Sequence, residues 1–170
     1  KMSALEIADI IGIISFALSG FLIAVHYKLD ILGIFISCFL TALGGGIIRD
    51  VIANKTPYVL NENLPVILVI ATLFIALIFK LHKITNLEGK TAFIIFDAIG
   101  LCSFAITGSL IAIEANFNFF GVLMLAFLTA VGGGTIRDIL VNKVPSILVS
   151  EFYGTVAIIV GLVTYLLHIF

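Results

Sequence analysis

The sequence predicts an all-helical membrane protein of two inverted three-helix repeats, six transmembrane helices in all, on three observations. First, the 170 residues are 62% hydrophobic and only 11% charged, with mean hydropathy +1.30. A soluble domain is nearer half apolar and a quarter charged, and a water-soluble fold of this size could not hide so much apolar surface. Second, the apolar residues form continuous runs of about 18–22, the length that crosses a bilayer core. Lipid leaves only helices or closed barrels, and runs that do not alternate are helical. Third, the chain repeats itself. Shifted by 88 positions, Asp9–Pro57 falls on Asp97–Pro145 without a gap, and about half the positions are identical.

Six spans are predicted, at about 9–26, 31–53, 65–81, 93–113, 119–141 and 152–169. In the first and fourth, DIIGIISFALSGFLIA meets DAIGLCSFAITGSLIA; in the second and fifth, FLTALGGGIIRDVIANKTP meets FLTAVGGGTIRDILVNKVP. Pro57 and Pro145 turn the chain after these helices. The most polar connection, His82–Lys90, joins the first repeat (1–85) to the second (86–170) within one membrane domain. Each repeat holds an odd number of spans, so the second enters the membrane from the opposite side, a plan that places a working site near the midplane. Lys28, Lys80, Lys83, Lys90 and Lys143 fall on one side and Lys1 and Lys55 on the other, so the lysine-rich side is expected inside and the N-terminus outside. Tyr27, Tyr58, Tyr153 and Tyr165 lie near span ends. No cleavable leader is expected, because the first apolar run opens at Ile7 without a basic lead or a small-residue cleavage site.

Each repeat carries a glycine triplet followed by Arg-Asp: Gly44, Gly45, Gly46, Arg49 and Asp50, then Gly132, Gly133, Gly134, Arg137 and Asp138. Glycine loosens a helix interior, so the triplets are expected to break or bend the second and fifth helices and act as hinges; close helix packing is the competing role. An arginine at the centre of a membrane helix costs on the order of 3 kcal/mol by insertion scales. Snorkelling would relieve it, but the adjoining aspartates gain nothing from lipid phosphates. Topology puts Asp9, Arg49 and Asp50 at one membrane face and Asp97, Arg137 and Asp138 at the other, so Arg49 is expected to pair with Asp9 or Asp50, and Arg137 with Asp97 or Asp138. Four carboxylates and two guanidinium groups sum to −2, which favours cations along a wet path. Asp9 and Asp97 also stand where helix N-caps belong, and capping is the safer expectation for those two.

Further polar positions repeat: Ser15 with Ser103, Ser19 with Thr107, Thr41 with Thr129, accompanied by Gly20 and Gly108. They are candidates for pore lining, although for most of them helix packing is the stronger expectation. Cys38 and Cys102 read as small core residues. His26, His82 and His168 lie at span ends without metal-ligand spacing, and Glu114 replaces His26 in the second repeat. A net charge of −1 without a basic patch excludes a nucleic-acid partner. No nucleophile, phosphate-loop or metal motif appears, so an enzyme is not expected.

The doubled GGGxxRD, GGGIIRD then GGGTIRD, late in the second helix of each three-helix unit, resembles the prokaryotic trimeric intracellular cation (TRIC) channel family, also labelled as membrane proteins with a glycine-transporter domain. The resemblance covers nearly the whole chain. It implies a homotrimer with a separate pore in each protomer, permeable to monovalent cations and favouring potassium, lined mainly by the second and fifth helices. It implies no resident cofactor, only permeant potassium or sodium ions and bound membrane lipid, and a place in the prokaryotic inner or plasma membrane. The family has seven helices, against six counted here. Two other readings remain: a secondary transporter of a small zwitterion such as glycine, held by Arg and Asp, and a structural protein, which leaves the mirrored charges unexplained.

Overall fold

A computed structural model describes residues 2–79 and 87–169. Among them are eight helices: α1 (Ala4–His26), α2 (Ile31–Ile52), α3 (Tyr58–Asn61), α4 (Leu64–Ile78), α5 (Leu87–Glu114), α6 (Phe119–Leu140), α7 (Ser146–Val149) and α8 (Glu151–Ile169). α1, α2, α5, α6 and α8 are long and apolar enough to cross a membrane. α4 realises the third predicted span with 15 residues, about 22 Å at 1.5 Å per residue. The predicted joint falls partly on residues 80–86, outside the described residues, and α5 has already begun at Leu87.

The helix ends are written in local chemistry. α1 opens on a capping box in which Ser3 Oγ accepts from Glu6 N (3.2 Å) and Glu6 Oε2 accepts from Ser3 N (2.8 Å). Asp30 caps α2 through Gly33 N (2.7 Å), and Asn118 caps α6 through Gly121 N (2.8 Å). α1, α2, α5 and α6 end alike, with Lys28, Asn54, Asn116 and Asn142 at positive φ. The next amide in each case reaches back to a carbonyl in the last turn: Leu29 to Ala24, Lys55 to Asp50, Phe117 to Ala112 and Lys143 to Asp138. These are Schellman closures.

N-caps at Asp9 and Asp97 and a break at the triplets are not found. Asp9 and Asp97 are not N-caps: Ser3 caps α1 and α5 starts at Leu87, so both aspartates lie inside their helices and are buried. Nor do the triplets break α2 and α6, which run as continuous helices through Gly44–Gly46 and Gly132–Gly134, with no glycine at positive φ among the described residues. The absent side chains serve a crossing instead. A Cβ on Gly45 would fall 2.3 Å from the Thr129 carbonyl oxygen, and one on Gly133 would fall 2.1 Å from that of Thr41. Only glycine allows backbones to approach this closely.

The centre is a bundle of α1, α2, α5 and α6, with α4 against α1 and α2, and α8 against α5 and α6. Equivalent helices run antiparallel and their contacts are reciprocal: Gly12 faces Phe104 while Gly100 faces Phe16. Gly44 faces Ile136 while Gly132 faces Ile48. The core is mainly apolar, but large apolar side chains also face outward and charges lie within. Phe120, Leu167 and Phe79 are at least 75% exposed, whereas Arg137 and Asp138 are wholly buried. That arrangement suits a lipid surround.

Candidate functional site

Two charge clusters occupy opposite ends of the central bundle. In the first, Arg49 Nη1 donates to Asp9 Oδ1 (2.6 Å) and Arg49 Nε to Asp50 Oδ1 (2.7 Å). The second oxygen of Asp50 accepts from the backbone N–H of Tyr58 (2.8 Å), at the start of α3. In the second cluster, Arg137 Nε and Nη2 both donate to Asp138 Oδ1 (2.9 and 2.8 Å), and Nη1 meets Asp97 Oδ1 and Ser19 Oγ. Asp138 Oδ2 accepts from the N–H and hydroxyl of Ser146 (2.8 and 2.9 Å). Each arginine thus pairs with both candidate aspartates. Each motif aspartate also holds the first residue of the one-turn helix that follows.

Burying a charge is costly unless it is paired and hydrogen-bonded. Among the described residues no buried side-chain nitrogen or oxygen lacks a partner. The clusters differ in how well they are closed. Ser19, from the first half, donates to Asp97 Oδ1 (2.8 Å) and accepts from Arg137, and the Phe93 ring lies 4.6 Å from the Arg137 guanidinium carbon. At the first cluster the matching residues are Thr107, which bonds back to the Phe104 carbonyl (3.2 Å), and Leu5. With one guanidinium and two carboxylates, each cluster carries a formal −1. Beside the first, desolvation and then the charges of Glu62, Asp9 and Glu6 hold the Tyr58 phenol above its ordinary value.

A cavity adjoins each cluster, each with room for a water-sized group, about 20 Å³. The first is walled by Asp9, Arg49, Asp50, Gly46 and Tyr58, and the second by Asp97, Arg137, Asp138, Gly134, Ser146 and Tyr153. The walls are equivalent position by position, with one exchange: Phe104 of the second half closes the first cavity, and Phe16 of the first half closes the second. The rings meet edge to face, 5.2 Å between centroids.

The remaining candidates lie off these walls. Thr41 and Thr129 are wholly buried and donate to the Ser37 and Leu125 carbonyls, both at 2.6 Å. Ser15 and Ser103 are buried and line neither cavity. No group of three or more His, Cys, Asp or Glu able to hold a metal occurs among the described residues, and both cysteines are free. His26 and His168 lie in last turns, and His82 lies outside the described residues. Sequence reasoning missed Phe16, Phe104, Tyr58, Ser146, Phe93 and Tyr153. Identity across the repeat marks only the first two; the other four change type between halves and carry no signal.

The family profile described as "Glycine transporter" matches residues 6–82 and 94–169, a stretch in each half. The UPF0126 membrane protein YvgT of Bacillus subtilis is 38% identical over 94% of this chain and 79% of its own length. The crystal structure of a prokaryotic TRIC channel in 0.5 M KCl is 35% identical, covering 91% of this chain and 78% of that one, with TM-score 0.86. This chain belongs to the prokaryotic TRIC channel family. A TRIC trimeric intracellular cation channel orthologue from Rhodobacter sphaeroides is also similar, 28% identical over 92% of this chain and 80% of its own, with TM-score 0.84. This TRIC-family chain is therefore an integral membrane protein of a channel family and not an enzyme.

Proposed function

We propose that this protein is a monovalent-cation channel of the bacterial inner membrane that favours potassium, works as a homotrimer with one pore in each protomer, and has its N-terminus outside. The observation that carries the reading is the pair of buried −1 clusters, each beside a cavity, at opposite ends of the central helices. A path running from one cavity to the other across the α2–α6 crossing passes a buried cluster of two carboxylates and one guanidinium near each mouth, with Lys143, bonded to Ser146, beside the second. That arrangement attracts cations and repels anions. Compact walls of helix and glycine backbone suit a path that opens slightly rather than a carrier pocket, and the solved structures similar to this chain are cation channels.

The test is single-channel recording of the purified protein in a planar bilayer under a potassium chloride gradient. Discrete steps reversing near the potassium potential are expected. Reversal near the chloride potential overturns the reading, as does a silent bilayer together with sealed vesicles that accumulate labelled glycine. Asp50→Asn and Asp138→Asn keep an acceptor for the Tyr58 and Ser146 amides but lose the charge. Both variants are expected to move the reversal potential toward zero.

A further inference from the structure

We infer that the Phe16–Phe104 ring pair is the gate, an apolar plug standing between the two charged cavities, and this rests on the channel reading above. Phe104 walls the first cavity, Phe16 walls the second, and the rings touch each other at 5.2 Å between centroids. An ion leaving one cavity for the other along this line therefore meets an aromatic barrier two rings thick. Both side chains are 1% exposed, so the barrier is closed and apolar. An apolar constriction stops ions by dewetting while the charged mouths still admit them.

The seats of the rings are made of glycine from four helices. A Cβ on Gly100 would lie 2.3 Å from the Phe16 ring, and one on Gly12 would lie 2.5 Å from the Phe104 ring. Each ring fills the space that a side chain on the opposite helix would need. The far edges lie over the α2–α6 crossing, where a Cβ on Gly45 would come within 3.3 Å of Phe104 and one on Gly133 within 3.4 Å of Phe16. A small separation of α2 from α6 at these glycines frees the backs of both rings. The close crossing is thus the latch and the ring pair is the bolt.

A core aromatic pair would also be buried, so the test must read gating as well as stability. Single-channel open probability and reversal potential are measured for the wild type, the double variant Phe16→Ala with Phe104→Ala, and Gly100→Ala, which displaces a ring without removing it. Open probability is expected to rise on the order of tenfold in the double variant and to change in Gly100→Ala, with the reversal potential unmoved in both. If the alanine pair does not fold, Phe16→Leu with Phe104→Leu is the second variant and is expected to raise open probability less. A folded double variant, alanine or leucine, with wild-type open probability overturns the gate and leaves the channel reading standing. Raised current with a collapsed cation preference also overturns the gate, because it places the rings in selection. A wild-type protein that never conducts, while its vesicles take up glycine, overturns both.

Discussion

Arg137 shows how this protein keeps charge inside a membrane. Its guanidinium is wholly buried and bonds Asp97, Asp138 and Ser19, with the Phe93 ring against it. Among the described residues Arg49 bonds the two aspartates only, and the Asp9 side chain keeps 10% exposure. Removing one partner of a buried ion pair leaves its carboxylates uncompensated, a cost of about 3–5 kcal/mol. Arg137→Gln is therefore expected to lose that much, and Arg49→Gln less, because Asp9 is less fully buried than Asp97. Thermal unfolding in detergent measures both, and equal losses would count against the unequal sealing of the clusters. Ser19→Ala is expected to cost about 2–3 kcal/mol, because it removes both the bond donated to Asp97 and the bond accepted from Arg137, each to a charged group.

At the scale of elements, the glycine triplets separate two ideas that the sequence leaves joined. If the triplet were a break, each glycine in it would matter alike. In the observed crossing they differ. Gly45 and Gly133 sit against opposing carbonyls, while a Cβ on Gly46 or Gly134 meets nothing nearer than the flexible end of its own arginine, at 3.8 and 3.6 Å. Gly45→Ala and Gly133→Ala are thus expected to force α2 and α6 apart and lower the unfolding midpoint. Gly46→Ala and Gly134→Ala are expected to be neutral or to gain up to about 1 kcal/mol of helix propensity. Unfolding midpoints of the four variants check this, and a loss common to all four would favour a break. The reason the sequence misleads here is physical. Propensity describes an isolated helix, and a crossing partner is invisible in it. Spans were legible because bilayer-length apolar runs are a strong signal, and the Arg–Asp pairing was legible because buried charges need partners. Helix starts were less legible, since hydropathy locates the lipid-facing length and not the cap. Ser3 and Glu6 carried the capping-box spacing for α1, yet the first apolar residues drew the boundary toward Asp9.

At the scale of the molecule, the two halves complete each other. The second cluster needs Ser19 from the first half, each cavity needs a phenylalanine from the other half, and each glycine of the α2–α6 crossing needs the opposite backbone. One exposed ion pair, Lys55 Nζ to Glu114 Oε2 at 2.8 Å, also joins them. Exposed pairs contribute under about 1 kcal/mol, so the interlocked core carries the association. A half alone would leave Asp97 and Arg137 short of a hydroxyl and would open the faces of α1 and α2 to lipid, where the apolar gain that drives soluble domains together is missing and close packing decides. Residues 1–85 and 86–170 produced as separate chains in one cell are therefore expected to co-purify from detergent extracts. Either produced alone is expected to be degraded, or to recover as a pair of copies that substitute for the missing half. Lys55→Ala should not weaken the co-purification, whereas Gly45→Ala with Gly133→Ala should. Halves that accumulate singly as monomers with an intact unfolding transition would show instead that each repeat folds alone, and that the reciprocal contacts follow folding rather than produce it.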